Sequence, residues 1–557
     1  MYSVGISAFY HDSSVSLFKN GTLIFACEEE KFSGFKHDST FPTLTLKYII
    51  KKYGLNSQNV ESVCFYEDPQ LKRERVVDQF KKNILKNPIY SIKNYLSFLS
   101  NYRELKLELK KISTNIFYSK HHHSHLYYSA FSSPFIESAV ISIDGVGEYD
   151  TTTISHYKRN KLEVENISEY PHSLGLFYSA MTAFLGFKPN EGEYKLMGLA
   201  PYGKKTNIVD KVSELVKFSD GKITNNLKYF EWHRTDKIMF NIDLSKLLGM
   251  SPRLPDEEIR KEHKDLAYAV QYVYENVFFQ LLNYTQTKYN TSNLCLGGGC
   301  AYNGTANGKI YYRTSFKNVW IPPAPSDAGS SIGAVINYFV SKGKRPHITD
   351  NPFLGPSFTI NSKFKESLGK RSFIYVSDDN LFRLTANEIK KGKVVGWFRD
   401  EIEFGARALG NRSILADPTN PNMKDKINSL IKRREGFRPF APMVTKERQR
   451  EFFEVNDDIP YMNQVVRVKE PYRDKLVSVT HVDGSARVQT VSKDKTIHKL
   501  LRAYESISGY PILLNTSFNV KDETMVMTPK QALETFDKTD LDILVLQNFM
   551  IFKNKKK

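Results

Sequence analysis

Three apolar runs separated by two polar turns fill the first thirty residues, and they constrain the fold more than any other feature of this chain. The runs are Tyr2–Ser7, Val15–Phe18 and Thr22–Cys27, and Asn20-Gly21 before the last run is a strong signal for a two-residue hairpin turn. Each run has the length of a single strand. The chain is therefore predicted to open with a three-stranded antiparallel meander.

Short apolar runs recur further along the chain and alternate with helical stretches, which is typical of an α/β fold. The later predicted strands are 61–66, 138–143, 293–296 and 317–321, and the clearest predicted helix is 263–289. The opening meander resembles the phosphate-handling start of actin-like ATPase folds, and the alternation after it predicts a second actin-like half. We find no internal repeat in the sequence.

A chain of 557 residues exceeds what one hydrophobic core usually supports, so we expect two domains. The segment 341–372 is rich in Gly, Pro, Ser and Lys and is the best candidate for a boundary. We place an N-terminal domain at 1–355 and a C-terminal domain at 356–557. Residues 70–112 form a long, basic, helical insertion that we interpret as a solvated lid or surface subdomain.

The formal charge of +18 is the main compositional anomaly. Much of the excess lies in Leu71–Lys111 and Lys553–Lys557, away from aromatic platforms, so we favour surface lysine over nucleic-acid binding. Small anionic substrates explain part of the excess. The four cysteines form no CxxC pair, which fits a reducing compartment. The chain lacks a stretch of transmembrane length and a secretory pattern, so we expect a cytoplasmic protein without a membrane partner.

Three segments end in side chains suited to a divalent metal ion. His121 and His125 are spaced i, i+4 on a predicted helix, so both imidazoles project from one face, whereas the histidines between them do not. Asp144 follows a buried strand, at the edge where α/β sheets place ligands. Asp327 follows a Pro-rich turn and opens an Ala/Gly-rich helix. Two imidazoles and two carboxylates suit Fe(II), Mn(II) or Zn(II) better than Ca(II).

Two candidate catalytic residues lie near the opening meander. His11, in the turn between two strands, is either a polar turn residue or a general base that removes a proton from an acceptor hydroxyl. Lys36 follows the acidic run Glu28–Glu30, and a cation there could stabilise charge that builds on a carbonyl oxygen.

The triplet Gly297-Gly-Gly299 follows a short apolar strand and offers bare backbone to a ligand. Asn303 and Asn307 are spaced i, i+4 on the predicted helix after it. Together with the opening hairpin and Asp327, this segment favours the binding of an adenosine or a phosphate.

Cationic side chains gather near turn signals in the C-terminal domain. They are Arg407, Arg412, Lys432, Arg434, Arg438 and Arg487. Surface salt bridging explains any single one, but guanidinium forks bind phosphate or carboxylate with two hydrogen bonds, so the group is interpreted as an anion pocket. The segment Asn515-Thr-Ser-Phe-Asn519 offers amides and hydroxyls to a small planar group such as a carbamoyl.

Taken together, these segments resemble the O-carbamoyltransferases of the nodulation-factor and antibiotic type, in family order and over nearly the whole chain. The matching text is His121-His-x-x-His125, Asp144-Gly-Val-Gly-Glu148, Gly192-Glu-Tyr-Lys-Leu-Met-Gly-Leu-Ala-Pro-Tyr-Gly203, Gly297-Gly-Gly-x-Ala-x-Asn303, Phe404-Gly-x-Arg-Ala-Leu-Gly-Asn-Arg-Ser-Ile-Leu-Ala416, Arg438-Pro-Phe-Ala-Pro442 and Asn515-Thr-Ser-Phe-Asn519. The chain departs from the usual pattern at Arg399-Asp-Glu401.

The resemblance implies an actin-like N-terminal domain, similar to the universal tRNA threonylcarbamoyl transferase, and an α+β, YrdC-like C-terminal domain. It implies that the second domain joins carbamoyl phosphate to ATP, giving carbamoyl-adenylate and pyrophosphate. The intermediate then passes inside the protein to the first domain. There, iron helps to transfer the carbamoyl group to a hydroxyl of a sugar, an antibiotic or another secondary metabolite, and AMP is released.

The resemblance also implies roles for individual residues. The metal ligands would be His121, His125, Asp144 and Asp327, with His11 as the base and Lys36 beside the reacting carbonyl. The nucleotide in the N-terminal domain would contact Asp12, Gly145, Glu193, Lys195, Gly298, Gly299 and Asn303. Carbamoyl phosphate and ATP would be bound in the C-terminal domain by Arg407, Lys432, Arg434, Arg487, Asn515, Ser517 and Asn519.

Two other functions are also compatible with the sequence. The shared fold and the basic charge are compatible with a tRNA-modifying threonylcarbamoyl enzyme. The altered segment Arg399–Glu401 is compatible with a nucleotide-binding regulator that has no activity. For the carbamoyltransferase we expect a small-molecule alcohol as the acceptor, and a homodimer is possible.

Overall fold

The computed structural model describes residues 1–235, 238–360, 362–369 and 371–553. Its contacts divide the chain into two compact units. The first unit contains Met1–Glu29 and His37–Asp350, and the second contains Glu30–Lys36 and Asn351–Lys557. The division at 350/351 lies near the boundary that we placed at 355/356, whereas the assignment of Glu30–Lys36 to the second unit has no signal in the sequence.

The first unit begins with the predicted meander, which belongs to a five-stranded sheet in the order β3-β2-β1-β4-β5. The strands are Tyr2–Ser7 (β1), Ser14–Lys19 (β2), Thr22–Glu28 (β3), Val60–Phe65 (β4) and Ile116–Tyr118 (β5). β2 is antiparallel to its neighbours β1 and β3, and β4 is parallel to its neighbours β1 and β5. Asn20 (φ 50°) and Gly21 (φ 81°) both take the left-handed conformation that a tight hairpin turn requires.

A second five-stranded sheet has the order β12-β11-β6-β7-β8, and β9 pairs with β10 in a separate ribbon. The strands are Glu137–Ile143 (β6), Asp150–Lys158 (β7), Lys161–Glu169 (β8), Val216–Ser219 (β9), Lys222–Asn225 (β10), Asn293–Gly297 (β11) and Asn318–Trp320 (β12). β7 is antiparallel to its neighbours β6 and β8, and β11 is parallel to its neighbours β6 and β12. Strand order and direction thus repeat those of the first sheet. This duplicated topology is actin-like, as predicted.

Helices cover these sheets, and none of those in the described part of the chain is long and apolar enough to cross a membrane. The α-helices of the first unit are Thr43–Tyr53, Pro69–Asn83, Pro88–Ile112, His121–Phe131, Leu174–Phe184, Glu193–Leu199, Ile208–Ser213, Ile242–Leu248, Lys261–Tyr289, Gly304–Asn307, Ile310–Arg313 and Asp327–Ser341, with 3₁₀ turns at Ala200–Tyr202, Leu227–Tyr229 and Gly299–Tyr302. We call His121–Phe131 the histidine helix and Asp327–Ser341 the aspartate helix. Pro69–Asn83 and Pro88–Ile112 form the helical hairpin, which occupies the predicted insertion.

The histidine and aspartate helices occupy equivalent places in the two repeats, because each follows the fifth strand of its sheet. They pack closely through small residues. A Cβ atom on Gly333 would lie 1.8 Å from the carbonyl oxygen of Ser124. A Cβ atom on Gly5, in β1, would likewise lie 2.0 Å from the carbonyl oxygen of Ser331. Glycine at these positions therefore fixes the aspartate helix against both the histidine helix and the sheet.

Replacing Gly333 by alanine should destabilise the first unit by about 2 kcal/mol or more, because the new methyl group must displace the backbone of the histidine helix. Urea unfolding followed by tryptophan fluorescence measures the change. Gly436→Ala is the matched control, since nothing lies within 4 Å of its Cβ position. Equal stability of the two variants would contradict the close packing described above.

The second unit is built on an eight-stranded mixed sheet in the order β13-β22-β21-β14-β15-β20-β16-β19, and β17 pairs with β18. The strands are Ser372–Tyr375 (β13), Val395–Phe398 (β14), Arg412–Ala416 (β15), Ala441–Thr445 (β16), Val465–Arg467 (β17), Ser485–Arg487 (β18), Gln489–Val491 (β19), Ile512–Ser517 (β20), Ile543–Leu546 (β21) and Phe549–Phe552 (β22). Side chains that alternate along β14 enter separate hydrophobic clusters, with Trp397 in one and Phe398 in the other.

The helices of this unit are short apart from three that cover the sheet. They are Glu30–Ser33, Ser362–Ser367, Asp378–Lys390, Met423–Lys426, Gln449–Phe452, Glu470–Arg473, Thr496–Ser508 and Pro529–Lys538, with a π-helical turn at Ile427–Lys432 and a 3₁₀ turn at Lys446–Arg448. The unit is α+β, as predicted. Its likeness to YrdC stays a prediction.

Candidate metal centre and anion pocket

The four predicted metal ligands converge in the first unit, and all four are buried. Asp144 Oδ2 lies 3.0 Å from His121 Nε2 and 3.2 Å from His125 Nε2. Asp327 Oδ1 lies 3.5 and 3.4 Å from the same two nitrogens. The two Nε2 atoms are 3.1 Å apart. One donor atom from each residue therefore faces a common point.

The chemistry of this cluster fits a cation. Both carboxylate oxygens of Asp327 are buried and lack a hydrogen-bond partner among the described residues, and such an arrangement is costly unless positive charge compensates it. Burial alone would lower the pKa of His125, but the neighbouring Asp144 and Asp327 outweigh it and raise that pKa to about 9. Two nitrogens and two oxygens from closely spaced side chains suit a borderline divalent metal such as Fe(II), Mn(II) or Zn(II).

The ligands are held by further hydrogen bonds. Asp144 follows β6, as predicted, and its Oδ1 accepts hydrogen bonds from the backbone N–H groups of Gly145 (2.9 Å) and Gly299 (3.1 Å). His125 Nδ1 lies 3.1 Å from Ser330 Oγ on the aspartate helix. Such outer contacts orient the ligands of metal sites. Gly145 and Gly299 thus hold the side chain of Asp144, and their predicted contact with a nucleotide stays a prediction.

Gly298 has a backbone conformation that only glycine adopts easily, with φ at 82°. A Cβ atom there would lie 2.2 Å from the carbonyl oxygen of Ile143, at the end of β6. The glycine triplet thus lets β11 run closely beside the strand that delivers Asp144. Its predicted contact with a nucleotide stays a prediction.

Glu148 is a structural partner of the site that the sequence did not reveal. Its carboxylate accepts hydrogen bonds from the backbone N–H of His121 (2.9 Å to Oε1) and from that of Asp68 (2.6 Å). It thus holds the first residue of the histidine helix and ties it to the residue before the helical hairpin. An acceptor at a helix N-terminus is favourable, because the first N–H groups have no partner within the helix. The residue belongs to a family motif, but nothing in its spacing indicates this role.

His11 lies beside the cluster. Its Nδ1 is 3.0 Å from Asp12 Oδ2, and its Nε2 is 3.9 Å from Asp327 Oδ2. Asp12 Oδ1 is also 2.7 Å from His37 Nδ1, so one carboxylate orients two imidazoles. Burial opposes a charge on His11, but Asp327 and Asp12 raise its pKa to about 10. The predicted base therefore lies within reach of the predicted metal ligands, and Asp12 orients it.

Tyr10 also borders the cluster, although no sequence signal pointed to it. Its ring centroid is 4.8 Å from that of His11, and its hydroxyl oxygen would lie 3.4 Å from a Cβ atom on Gly145. Burial, and then the charges of Asp144 and Asp327, raise its pKa above the usual range. The phenol stays protonated and can donate a hydrogen bond.

The other predicted nucleotide contacts have structural partners within the first unit. Glu193 accepts hydrogen bonds from Ser179 Oγ (2.6 Å) and from the backbone of Asn190 (2.9 Å). The Asn303 side chain exchanges hydrogen bonds with Gln271 and caps the helix after it. Lys195 Nζ lies 5.8 Å from the ring centroid of Phe187. A role in nucleotide binding stays a prediction for all three residues.

Metal affinity should rise with pH, because a metal ion must displace protons from the imidazoles. The pKa of His125 is raised to about 9, so its proton is held through the neutral range. The apparent affinity should therefore increase roughly tenfold per pH unit for each displaced proton until about pH 9. Titration calorimetry with Mn(II), in buffers of different ionisation enthalpy, measures both the affinity and the released protons. A pH-independent affinity without proton release would contradict this account.

The second unit gathers most of the cationic side chains that were predicted to form an anion pocket. Lys432 is buried at the end of the π-helical turn, and its Nζ donates to the carbonyl oxygens of Ser517 (2.7 Å) and Asn519 (3.0 Å) and to Asn519 Oδ1 (2.5 Å). Burial, and then Arg434, Arg438 and Lys36, hold the pKa of Lys432 well below its usual range. The structure therefore brings Lys432, Ser517 and Asn519 together, as the sequence predicted.

Arg487, at the end of β18, is part of the same positive cluster. Its Nε atom is buried and has no hydrogen-bond partner in the described ranges. Burial, and then the charges of Arg407, Arg434 and Arg438, lower its pKa well below the usual range. Several like charges are thus gathered around a half-buried guanidinium, and a bound anion would relieve their repulsion. Lys36, predicted beside a reacting carbonyl, is exposed and belongs to this unit, and that role stays a prediction.

Arg412 is not part of the pocket, and its inclusion was wrong. It is fully buried, stacks on Phe398 at 3.7 Å, and donates hydrogen bonds to the backbone carbonyl oxygens of Asn411 (2.9 Å) and Asp400 (3.0 Å). Its guanidinium thus holds the backbone of the loop before β15.

The amide of Asn515 is also engaged, because its Nδ2 donates to Ala408 O (3.0 Å) and to Gln489 Oε1 (2.9 Å). Its Oδ1 is buried without a partner in the described part of the chain. An unused acceptor of this kind would suit the N–H of a carbamoyl group. The contact between Asn515 and a carbamoyl group stays a prediction.

An actin-like unit with a buried cluster of two histidines and two aspartates, followed by an α+β unit with a cluster of cationic side chains, defines the class of protein to which this chain belongs. Two family models match the chain: Carbamoyltransferase N-terminus at residues 2–336 and Carbamoyltransferase C-terminus at residues 386–553. The chain belongs to the carbamoyltransferase family and is a carbamoyltransferase.

The chain is also similar to curated proteins over most of its length. An uncharacterised protein of Synechocystis sp. is 37% identical over 99% of this chain and 96% of its own length. The nodulation protein NolNO of Sinorhizobium fredii is 33% identical over 98% of this chain and 80% of its own length. NolO of Bradyrhizobium diazoefficiens is 34% identical, with 78% of each chain covered. Among solved structures, HypF of T. kodakarensis covers 63% of this chain and 48% of its own at 14% identity and a TM-score of 0.36, a similarity too weak to support an inference.

Proposed function

We propose that this carbamoyltransferase is ATP-dependent and transfers a carbamoyl group to a hydroxyl of a small molecule. The observation that carries the proposal is the buried cluster of His121, His125, Asp144 and Asp327 beside His11. Attack of an alcohol on a carbamoyl group needs positive charge near the carbonyl oxygen and a base near the hydroxyl. This cluster and its neighbouring imidazole offer both.

The second unit would activate the carbamoyl group. Water first converts carbamoyl phosphate into carbamate and phosphate. A carbamate oxygen then attacks the α-phosphorus of ATP, and the bond to the β-phosphate breaks, giving carbamoyl-adenylate and pyrophosphate. Arg487, Arg407, Arg434 and Lys432 would bind the phosphate groups, because a cluster of like charges is stabilised by an anion.

The first unit would transfer the carbamoyl group. Asp12 accepts the hydrogen bond of His11 Nδ1, which leaves Nε2 to take the proton of the acceptor hydroxyl. The hydroxyl oxygen then bonds to the carbamoyl carbon, and AMP leaves with the electron pair of the broken C–O bond. Tyr10 lies beside His11, and its hydroxyl can donate a hydrogen bond to a substrate oxygen there.

His121, His125, Asp144 and Asp327 would hold a divalent cation, for which we propose Fe(II). When bound, it would supply Lewis-acid polarisation of the carbamoyl oxygen. The charge of Asp327, which is the first of the carboxylates that raise the pKa of His11, would then be neutralised in large part. His11 would thereby regain a pKa closer to neutrality, where a base is most effective.

The test is a reconstitution with ATP, carbamoyl phosphate, Fe(II) and a panel of small alcohols, including aminoglycosides and sugars. We expect pyrophosphate to form with ATP and carbamoyl phosphate, and AMP and a carbamate ester to appear only when a suitable acceptor is present. Labelled carbamoyl phosphate identifies the ester by mass spectrometry. Absence of pyrophosphate in the metal-loaded protein would refute the ATP-dependent scheme.

A further inference from the structure

The helical hairpin carries a row of exposed aliphatic side chains that its own packing leaves uncovered. Leu85, in the turn between the two helices, is 94% exposed, and Ile89 is 82% exposed. Ile92, Leu96 and Leu99 follow on the second helix, with exposures of 48%, 58% and 36%. We call these five residues the aliphatic stripe. Single exposed apolar residues are common, but a continuous row marks a surface that contacts something else.

The spacing of the stripe places it on one helix face. Ile89, Ile92, Leu96 and Leu99 are separated by three, four and three residues, which brings them into one line. The face that packs inside the unit is a different one, since Ser91, Phe98 and Leu105 are buried and recur every seven residues. The second helix is therefore apolar on two sides, and only one of them is used by the fold.

The surroundings of the stripe are strongly positive. Between Asp78 and Glu104 the sequence contains no acidic residue. The cations in this interval are Lys81, Lys82, Lys86, Lys93 and Arg103, and all of them are exposed. An aliphatic row flanked by lysines is typical of helices that lie in the interface of a membrane, where the row enters the acyl boundary and the lysines meet anionic headgroups.

We propose that the helical hairpin docks on the surface of an anionic lipid bilayer through the aliphatic stripe. A second copy of the chain is a poorer occupant, because pairing two stripes would bring these cations together. A nucleic acid would satisfy the lysines but leave five aliphatic side chains without a partner. The proposal departs from our expectation of no membrane partner, because only the burial of the second helix reveals the stripe. It is independent of the proposed function.

The experiment is sedimentation of the full chain with vesicles of phosphatidylcholine alone and of phosphatidylcholine with phosphatidylglycerol. We expect binding only to the anionic vesicles, weakening as salt is raised. Ile89→Glu and Leu96→Glu should each reduce the affinity about tenfold or more, because each removes a buried aliphatic group from the acyl boundary. Both side chains are exposed, so the fold should not change, which circular dichroism checks.

The matched control is Ile136→Glu, which makes the same change at an 83% exposed isoleucine outside the helical hairpin. Ile136→Glu should bind the vesicles as the unchanged protein does. The double variant Lys86→Gln, Lys93→Gln should bind more weakly than the unchanged protein, and the loss should be largest at low salt. Equal losses in Ile136→Glu and Ile89→Glu would show that only the overall charge attracts the vesicles and would overturn the proposal. So would a lack of binding to anionic vesicles, or a dimer in sedimentation equilibrium that Leu96→Glu dissociates.

Discussion

Replacement of Asp327 by asparagine should reduce carbamoyl transfer about a thousandfold or more, while pyrophosphate formation from ATP and carbamoyl phosphate stays unchanged. Asp327 is fully buried, and both of its carboxylate oxygens lack a hydrogen-bond partner in the ranges described. Asparagine keeps the size of the side chain but removes the charge that attracts a cation. Bound metal, measured by plasma emission spectrometry, should fall together with transfer.

His123→Gln is the matched control for this set of variants. His123 lies on the histidine helix between the two ligands, but it is only partly buried and its ring faces Tyr127. We expect normal metal content and normal transfer from this variant, and loss of both from His125→Gln. If Asp327→Asn kept its metal and its transfer rate, the centre would have no part in the reaction.

Replacement of Arg487 by glutamine should give the opposite pattern, with pyrophosphate formation reduced about a hundredfold or more and metal content unchanged. The half-buried guanidinium is close to the charges of Arg407, Arg434 and Arg438, so it should contact an anion directly. Its removal also relieves repulsion, and the variant should therefore be at least as stable as the unchanged protein. Exchange of labelled pyrophosphate into ATP measures the activity of the second unit alone.

Arg433→Gln controls for the loss of one positive charge in the same region. Its side chain is exposed, and it donates a hydrogen bond to Lys538 O. We expect exchange to stay within a factor of about two of the normal rate, because a surface cation contributes little. Equal losses in Arg433→Gln and Arg487→Gln would mean that general charge, and no specific pocket, attracts the substrates.

The convergence of His121, His125, Asp144 and Asp327 was predictable because each of these residues carries a local signal. Spacing on one helix face selects His121 and His125, the end of a buried strand selects Asp144, and a helix start selects Asp327. Of the two histidines between them, both of which were excluded, His122 is buried and its ring lies 3.0 Å from Thr153 Oγ1, and His123 is only partly buried. These signals depend only on backbone periodicity, which the sequence expresses directly.

Other features depend on pairings between distant segments, and the sequence does not express them. Glu148 and Tyr10 act through neighbours that only the fold brings near. Arg412 resembles the pocket arginines in sequence, but it packs on Phe398 and serves the backbone. The alternation of strands and helices predicted a second actin-like half, but the order of the strands within each sheet depends on pairings between distant segments and has no local signal.

That duplication has a consequence for how such a centre could arise. The first residues of two equivalent helices, His121 and Asp327, come from opposite halves of the repeat. Each half, taken alone, contains only part of the donor set, because His121 and His125 belong to the first half and Asp144 and Asp327 to the second. The donor set is therefore complete only when both halves are present, and a chain cut between the halves should regain it only when both fragments are produced together.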